Sequence, residues 1–569
     1  MYEIIKPYKN TYIILAITVV IMAILTPARP YLIQYTVDNM VLTGDIQGLV
    51  RITMLMLLLL AIESVMRYYF SYYSNWLGQT AIKDIRQKVF THITNLRLQF
   101  FDTNPIGTLT TRTVSDIETI SQIFSDGLLT TIGDILQIIV ILALMLYTDW
   151  RLTLVSLSVL PLLLLASYIF KEGIKKSFQA VRTYVSAQNT FLQEHITGMH
   201  IVQIFNKENT EYQKFSKINK DLKDANIKGV MYYSVFFPVV EIITAGSQGL
   251  LVWYGANRVL DFECSIGTII AFVMYVNLFF RPVRVLADKV NTLQMGFVAS
   301  DRVFKLLDTH ETIADEGTEM LQDLKGEIVF KNVSFGYNAQ EKVLKNISFT
   351  AKAGEITAIV GATGSGKSSI INILNRFYEF ESGEITIDGK NIKTINQQNL
   401  RQNIGTIMQD VFLFSSSIYD NITLKNPDIS LEKIDKIAHY TGINKFIEKL
   451  PGGYTYNVME RGYALSAGQR QLVAFLRAMI YDPKILILDE ATSAIDTETE
   501  AILQEATEKL MLGRTGLVVA HRLSTIKNAH QILVLDQGEI IERGTHDELL
   551  AQGGAYHRLY LMQFEHEMA

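Results

Sequence analysis

The 569-residue chain is poor in charge and in cysteine. Charged residues make up 19% of the chain and hydrophobic residues 49%, and mean hydropathy is positive at +0.19. The charged share is below the usual quarter of soluble domains. Cys264 is the single cysteine, which excludes an intrachain disulfide and a metal site built from cysteine alone, and we expect it to be a small hydrophobic residue. A net charge of −5 offers no basic footprint for nucleic acid. The composition indicates a membrane protein joined to a soluble part.

Long apolar runs fill the first half of the chain. A membrane-spanning helix needs about 20 mostly apolar residues. Six segments qualify, at residues 12–36, 52–73, 128–147, 152–170, 234–256 and 266–286. The first is too long for a removable signal peptide, so it is interpreted as a retained span. We expect neighbouring helices to satisfy the carbonyl freed by Pro161 in the fourth span, and Pro27 and Pro30 to bend the first.

Connections between the spans alternate between short and long. The long ones, residues 74–127 and 171–229, carry most of the basic residues of this half, and basic residues mark the cytosolic side. Both chain ends are therefore predicted in the cytosol. The long connections contain few helix breakers, so they are interpreted as helical extensions that turn near residues 104–107 and 206–209. Ordinary solvated loops are the alternative.

Charged residues inside the spans are costly and often functional. Glu63 and Arg67 are four residues apart and could simply pair along one helix face. Arg281 and Arg284 fit a position near the inner interface, where long cationic side chains reach water. Whether any of these charges contacts a substrate stays open; the candidates are Glu63, Arg67, Asp134, Glu241, Arg281 and Arg284.

The second half begins after a charged linker, so the predicted division is 1–300, 301–325 (linker) and 326–569. It contains a phosphate-binding loop between the apolar run 356–360 and a helix-forming run 369–377. Glycines let backbone N–H groups wrap phosphates, and the helix N-terminus adds positive potential. Lys367 is expected on the β- and γ-phosphates, and the Ser368 hydroxyl on Mg²⁺. The loop consists of Gly361, Ala362, Thr363, Gly364, Ser365, Gly366, Lys367 and Ser368.

Two further motifs follow the loop. A buried apolar run, 485–488, ends in Asp489 and Glu490. Asp489 is predicted to hold Mg²⁺ through water and Glu490 to orient the attacking water; two acids capping the next helix are the alternative. Residues 465–469, Leu-Ser-Ala-Gly-Gln, open a helix and offer a second anion site. One nucleotide does not need two such sites, so the second is assigned to a partner chain, with a plain Ser-capped helix as the alternative.

The order of these motifs resembles that of the ABC exporter family. Gln409 follows the phosphate loop, and Asp496 and His521 follow the Asp-Glu pair. Residues 100–116 and 194–205 resemble the two cytoplasmic coupling segments of the family. The resemblance implies a multidomain chain: an all-α six-helix transmembrane bundle with long cytoplasmic helical extensions, plus an α/β P-loop NTPase (ABC ATPase) domain.

The resemblance also implies roles for single residues. Tyr337 would stack on adenine, with an ordinary strand tyrosine as the alternative. Gln409 would touch Mg²⁺ and the attacking water, and His521 the γ-phosphate, unless His521 only caps a helix. Glu490, His521, Gln409 and Lys367 would form the catalytic set. The remaining nucleotide contacts would come from Ser369 of the same chain and from Ser466, Gly468, Gln469 and Asp496 at the seam with the partner.

As a whole the resemblance implies an ATP-hydrolysing, multi-pass transporter subunit with ATP and Mg²⁺ as cofactors. It would dimerise with a second half-transporter in a bacterial cytoplasmic membrane, in contact with lipids, and export or flip an amphipathic lipid, glycolipid or drug without binding nucleic acid. A homodimer is favoured, although Ala467 replaces the usual second glycine of the signature, which hints at a heterodimer. A peptide exporter and an ATP-gated channel or regulator are the alternatives.

Overall fold

The computed structural model describes residues 6–123, 127–309, 317–338, 340–489, 497–520 and 526–564. The chain forms two compact units. One combines Met1–Asn95 with Pro105–His310, and the other combines Leu96–Asn104 with Glu311–Ala569. The short segment Leu96–Asn104 therefore groups with the second unit, although it lies within the predicted first domain.

Helices make up the N-terminal part of the chain. In chain order they are α1 (Lys9–Thr36), α2 (Ile46–Thr94), α3 (Leu98–Thr103), α4 (Ile106–Thr111), α5 (Ile117–Gln122), α6 (Leu128–Thr148), α7 (Trp150–Leu157), α8 (Leu160–Thr197), α9 (Met199–Ile204), α10 (Glu208–Leu260) and α11 (Ile266–Leu307). Of these, α3 belongs to the second unit.

Six stretches of the described chain are long and apolar enough to cross a membrane. They are Lys6–Val41, Ile46–Thr94, Leu128–Thr148, Trp150–Thr197, Glu208–Leu260 and Ile266–Val283. Their outward faces are apolar: Ile242 is 72% exposed and Val65 67%. A helix that is apolar on its exposed face suits lipid rather than water. The six-helix transmembrane prediction is thus confirmed.

The longest helices extend well past a bilayer. Helix α10 has 53 residues, about 80 Å at 1.5 Å per residue, against a hydrocarbon core of about 30 Å. Helix α2 has 49 residues and α8 has 38. In chain order, the short helices α3 and α9 follow α2 and α8 and lie next to the predicted turns. The first extension is more broken than expected, because a π-helical turn, Arg112–Asp116, separates α4 from α5.

Prolines shape two of the spans. The fourth span was expected to run through Pro161, but α7 ends at Leu157 and Pro161 lies in the first turn of α8. Proline is well placed there because the first-turn N–H groups have no helical acceptor. Pro27 and Pro30 lie inside α1. The Tyr275 hydroxyl donates to the Pro27 carbonyl at 3.2 Å, so α11 contacts α1 at this proline.

The second unit contains two sheets. The antiparallel sheet has the order β2-β1-β4-β5, and the other sheet has the order β10-β9-β3-β8-β7-β6, parallel except for β10. The strands are β1 (Ile328–Phe335), β2 (Leu344–Ala351), β3 (Ile356–Gly361), β4 (Ser382–Ile387), β5 (Lys390–Asn391), β6 (Ile404–Ile407), β7 (Ile485–Asp489), β8 (Thr515–Val519), β9 (Gln531–Asp536) and β10 (Glu539–Gly544).

Helices cover the parallel sheet and enclose its core. They are α12 (Lys367–Leu374), α13 (Gln397–Asn403), α14 (Ile418–Thr423), α15 (Leu431–Thr441), α16 (Asn444–Ile447), α17 (Ala467–Tyr481), α18 (Thr497–Met511), α19 (His546–Gln552) and α20 (Ala555–Phe564). One apolar cluster joins the two sheets around Phe330 and Ile487, and another packs α17 on the parallel sheet around Leu472 and Leu486. In open parallel sheets, ligands bind outside the carboxyl ends of the strands. Strands β3 and β7 therefore direct their C-terminal residues to one edge.

Candidate nucleotide site

The predicted phosphate loop lies between β3 and α12. Strand β3 sits inside the parallel sheet, between β8 and β9, which fixes the start of the loop. Gly364 and Gly366 have φ of 83° and 104°, in the left-handed region that favours glycine. A Cβ on Gly366 would also lie 2.6 Å from Leu344 Cδ2. The glycines therefore bring the backbone N–H groups of the loop close to the N-terminus of α12, as a phosphate site requires.

Lys367 is folded over this loop. Its Nζ donates to the carbonyl oxygens of Gly361 at 2.8 Å and Ala362 at 2.9 Å. Burial lowers the pKa of Lys367, and the nearby carboxylate of Asp489 acts in the opposite direction. An anion that enters the loop would therefore form an ion pair with this buried ammonium. The position suits the predicted contact with the β- and γ-phosphates.

Ser368 and Asp489 meet although they are 121 residues apart. The Ser368 hydroxyl donates to the Asp489 carboxylate at 3.4 Å, because α12 begins and β7 ends at the same edge of the sheet. A hydroxyl and a carboxylate are hard oxygen ligands of the kind that Mg²⁺ prefers. This pair of residues fits the predicted magnesium ion.

Tyr337 lies beside the same helix. Its hydroxyl is 3.1 Å from the Ser369 hydroxyl and accepts a hydrogen bond from Asn372 at 3.1 Å. Its ring stands edge-on to Phe335 and Tyr378, with ring centroids 4.9 and 5.0 Å away. Hydrogen bonds to its hydroxyl and aromatic contacts to its ring thus fix Tyr337 next to the phosphate loop. This position is compatible with the predicted adenine contact.

The predicted second anion site starts α17. Ser466 Oγ accepts from the Gln469 N–H at 3.2 Å, and the Gln469 side chain accepts from the Ser466 N–H at 3.0 Å. This reciprocal capping box orders the first turn and leaves Ser466 and Ala467 exposed, while Gly468 is buried. This turn follows the phosphate loop by about a hundred residues in the sequence. Both of these hydrogen bonds of Ser466 stay within its own turn. The structure thus brings Lys367, Ser368 and Asp489 together, whereas Ser466 is exposed at the start of α17.

The structure describes only one of the four remaining predicted residues, Gln409. Gln409 is exposed in the bend after β6, beside a groove of about 930 Å³ lined by Met408, Asp410 and Phe412, among others. Glu490, Asp496 and His521 lie outside the described residues, so their expected roles stay predictions.

Sequence reasoning missed how α3 packs in this unit. Phe100 is 4% exposed, and the Gln99 amide donates to the Tyr337 carbonyl at 3.4 Å. The Tyr378 hydroxyl donates to the Asp102 carboxylate. Tyr378 therefore contacts both α3 and the ring of Tyr337. Its position in the loop after α12 gave no sequence signal beyond a lone aromatic residue.

We expect Tyr378→Phe to loosen α3 while leaving the packing of the ring intact. The lost hydrogen bond to an exposed carboxylate is worth about 1 kcal/mol. Amide hydrogen exchange in residues 98–103, followed by mass spectrometry, should then accelerate roughly fivefold. Tyr454→Phe removes another Tyr–Asp hydrogen bond, 3.1 Å to Asp435, and should leave this segment unchanged. Equal exchange in both variants would show that Asp102 and Tyr378 do not hold α3.

The charges predicted inside the spans fall into three groups. Glu63 pairs with Arg67 at 3.0 Å, as expected, and also with Arg29 at 2.5 Å, a cation inside the first predicted span that the sequence analysis overlooked. Asp134 pairs with Lys289. Glu241 and Arg281 are exposed, and the side chain of Arg284 lies outside the described positions.

Comparisons with known proteins agree with this architecture. The model of the ABC transporter transmembrane region matches residues 12–283, and the ABC transporter model matches residues 344–493. The chain is 36% identical over 563 residues to the uncharacterized ABC transporter ATP-binding protein YknV of Bacillus subtilis, covering 98% of this chain and 93% of that protein. It is 35% identical over 565 residues to the ATP-dependent lipid A-core flippase of Desulfotalea psychrophila, covering 99% and 98%.

A solved structure shows the same fold. The structure of a bacterial Atm1-family ABC exporter with ATP bound superposes with a TM-score of 0.77 at 27% identity and covers 98% of both chains. The relatives and the solved structure match nearly the whole chain, in agreement with its six apolar helices and the phosphate loop at the edge of a parallel sheet. The chain belongs to the ABC exporters, as an ATP-hydrolysing half-transporter that works as part of a dimer.

Proposed function

We propose that two copies of this chain export or flip an amphipathic molecule across a bacterial cytoplasmic membrane. The observation that carries the proposal is the presence of accessible charged side chains inside otherwise apolar spans, with the side chains of Arg29 and Arg67 34% and 59% exposed. A path lined by both kinds of surface suits cargo with a polar head and an apolar tail. A relative bearing the name of a lipid A-core flippase, and another described as a probable multidrug resistance transporter, support this class of cargo.

In the proposed reaction the first chain supplies the phosphate loop. Its N–H groups and Lys367 bind the phosphates, and Tyr337 positions the adenine. Ser368 and Asp489, with Gln409, would hold Mg²⁺, which neutralises phosphate charge when bound. Glu490 would orient the attacking water, and His521 would contact the γ-phosphate. The described contact between Ser368 and Asp489, at 3.4 Å, supports their shared role.

The second chain would complete each site. The exposed N-terminus of α17, with Ser466, Gly468 and Gln469, would face the γ-phosphate bound to the other chain, and Asp496 would bridge the two sites. A helix N-terminus with free N–H groups attracts an anion. Closure of the two ATPase domains around two nucleotides would then shift the spans from one conformation to another, because nucleotide binds the closed state more tightly. Hydrolysis would reset the dimer.

We further propose that both ends of the chain lie in the cytosol. The long connections, which carry the basic residues, become the extended parts of α2, α8 and α10. Basic residues next to spans favour the cytosolic side. This orientation places the ATPase domain where ATP is available.

Transport in sealed vesicles tests the proposal. With ATP outside inverted vesicles, a fluorescent phospholipid or hydrophobic dye should accumulate against its gradient. Glu490→Gln, which keeps a side chain of the same size but removes the base, should lower the rate by roughly 100-fold or more. Movement only down the gradient, or movement that the Glu490→Gln protein retains, would instead indicate a gated channel.

A further inference from the structure

A cluster with excess positive charge lies inside the first two spans. The Glu63 carboxylate, with its side chain 5% exposed, accepts from Arg29 at 2.5 Å and from Arg67 at 3.0 Å. Thr26 donates to the same carboxylate at 3.3 Å. Two guanidinium groups thus share one carboxylate, which gives the cluster a formal charge of +1.

Another ion pair between two of the long helices behaves differently. Asp134 and Lys289 join α6 and α11 one to one, so their charges cancel. Joining α1 to α2 would likewise need only Glu63 and one arginine. A second arginine leaves a formal charge of +1 in an apolar region, where an uncompensated charge is costly. A bound anion would compensate this surplus charge.

The positive groups of the cluster are accessible, whereas the negative group is not. The side chains of Arg29 and Arg67 are 34% and 59% exposed. Arg29 Nε is buried and has no hydrogen-bond partner among the described residues. The exposed parts of the two guanidinium groups offer N–H donors to an incoming group, and arginine binds phosphate and carboxylate through paired N–H bonds.

Exposed apolar and aromatic side chains lie near Arg67 along α2. Tyr68 and Tyr72 follow Arg67 on α2, are 72% and 55% exposed, and stack with ring centroids 6.3 Å apart. Leu60, one helical turn on the other side of Glu63, is 43% exposed. A charged head beside such a surface would leave its tail in contact with apolar side chains.

We propose that Arg29 and Arg67 bind the anionic headgroup of the cargo, with Glu63 holding the two arginines in place. The ligand class is an amphipathic anion: a phosphate, sulfate or carboxylate on an apolar tail. The inference rests on the proposed export function and names its substrate class. Arg29 and Arg67 are the binding residues, and Glu63 is a positioning residue.

The test measures the concentration at which amphiphiles stimulate ATPase activity half-maximally in nanodiscs of zwitterionic lipid. The probes share one tail type and differ in charge: lysophosphatidic acid, lysophosphatidylcholine and an alkyltrimethylammonium. Lysophosphatidic acid should act at the lowest concentration. Inorganic phosphate, tested alone, should not stimulate, because it lacks the tail. Stimulation by phosphate alone, or equal midpoints for anion and zwitterion, would overturn the inference.

Substitutions that change the cluster charge in opposite directions give the sharper result. Arg67→Gln brings the formal charge to zero, and the midpoint for lysophosphatidic acid should rise about tenfold. Glu63→Gln brings the charge to +2 but keeps an amide oxygen that can accept from the arginines, so the midpoint should fall or stay equal. A merely structural network predicts that both substitutions impair the response. Arg151→Gln, which breaks an exposed pair with Glu263 at 3.3 Å, is the matched control and should keep the midpoint.

Thermal unfolding of each variant without amphiphile reports on folding. Should Glu63→Gln fail to fold, the comparison of Arg67→Lys with Arg67→Gln decides: the lysine variant keeps the charge and should keep most of the response. Equal midpoints for these two variants would overturn the inference. If no amphiphile of any charge stimulates or moves, the proposed export function fails; if only the preference for anions is missing, this inference fails alone.

Discussion

Replacing Lys367 with alanine should lower ATP hydrolysis by at least about 100-fold, the usual loss when one donor to a developing charge is removed. Lys367 Nζ already lies over the loop, held by the carbonyls of Gly361 and Ala362 at 2.8 and 2.9 Å. Burial lowers the pKa of Lys367 and the carboxylate of Asp489 offsets this only in part, so an entering phosphate would favour the charged ammonium further. Without it the loop N–H groups alone must bind the phosphates, and ATP binding should weaken as well.

Two controls separate this loss from a general effect of removing a lysine. Lys367→Arg keeps the charge but not the shape of the side chain. Because Lys367 is only 8% exposed, the site leaves little room for the larger guanidinium, and this variant should be nearly as inactive as Lys367→Ala. Lys352→Ala removes an exposed lysine that pairs with Glu355 at 3.7 Å, and hydrolysis should stay normal. Steady-state phosphate release and equilibrium binding of labelled ATP are the measurements. Normal hydrolysis in Lys367→Ala would contradict the assigned nucleotide site.

Replacing Ser466 with aspartate should cause a loss of similar size for an electrostatic reason. Aspartate caps a helix as well as serine does, so the start of α17 should survive. Its carboxylate would stand where the γ-phosphate of the partner-bound nucleotide is proposed. Two unit charges 4 Å apart repel by about 4 kcal/mol at an effective dielectric constant of 20, enough for at least a 100-fold loss of activity.

Ser466→Asn provides the neutral comparison. Asparagine also caps helices well and is close in size to aspartate, but it carries no charge. Helical content and thermal unfolding should be alike in the two variants, whereas phosphate release should be far lower in Ser466→Asp. Equal activity in the two variants would show that no anion approaches this turn.

The parts of the fold that sequence predicts well are those with strong local signals. Each span is a long apolar run, and the helices that contain these runs continue into the extensions because few breakers follow. The loop from Gly361 to Ser368 lies where an apolar strand meets a helix-forming run, and that local pattern placed it between β3 and α12. Asp489 ends β7 for the same reason, because the apolar run stops there.

Features that depend on distant contacts were beyond sequence reasoning. The break before α8 follows from the preference of Pro161 for a first turn, which competes with continuing the span. The packing of α3 depends on Tyr378, far away in sequence. Arg29 was visible in the sequence, but its pairing with Glu63 requires the α1–α2 hairpin. Sequence spacing finds partners on one helix, such as Glu63 and Arg67, and misses partners on two.

The central claim is that each nucleotide binds between the phosphate loop of one chain and the α17 turn of the other. Mixed dimers, purified through two different tags, test it by counting nucleotides trapped with vanadate. With Lys367→Ala on one chain and Ser466→Asp on the other, one composite site stays intact and one nucleotide should be trapped. With both substitutions on one chain and none on its partner, each site has one damaged half and none should be trapped. The reverse pattern, with trapping only when one chain is wholly unchanged, would contradict the account.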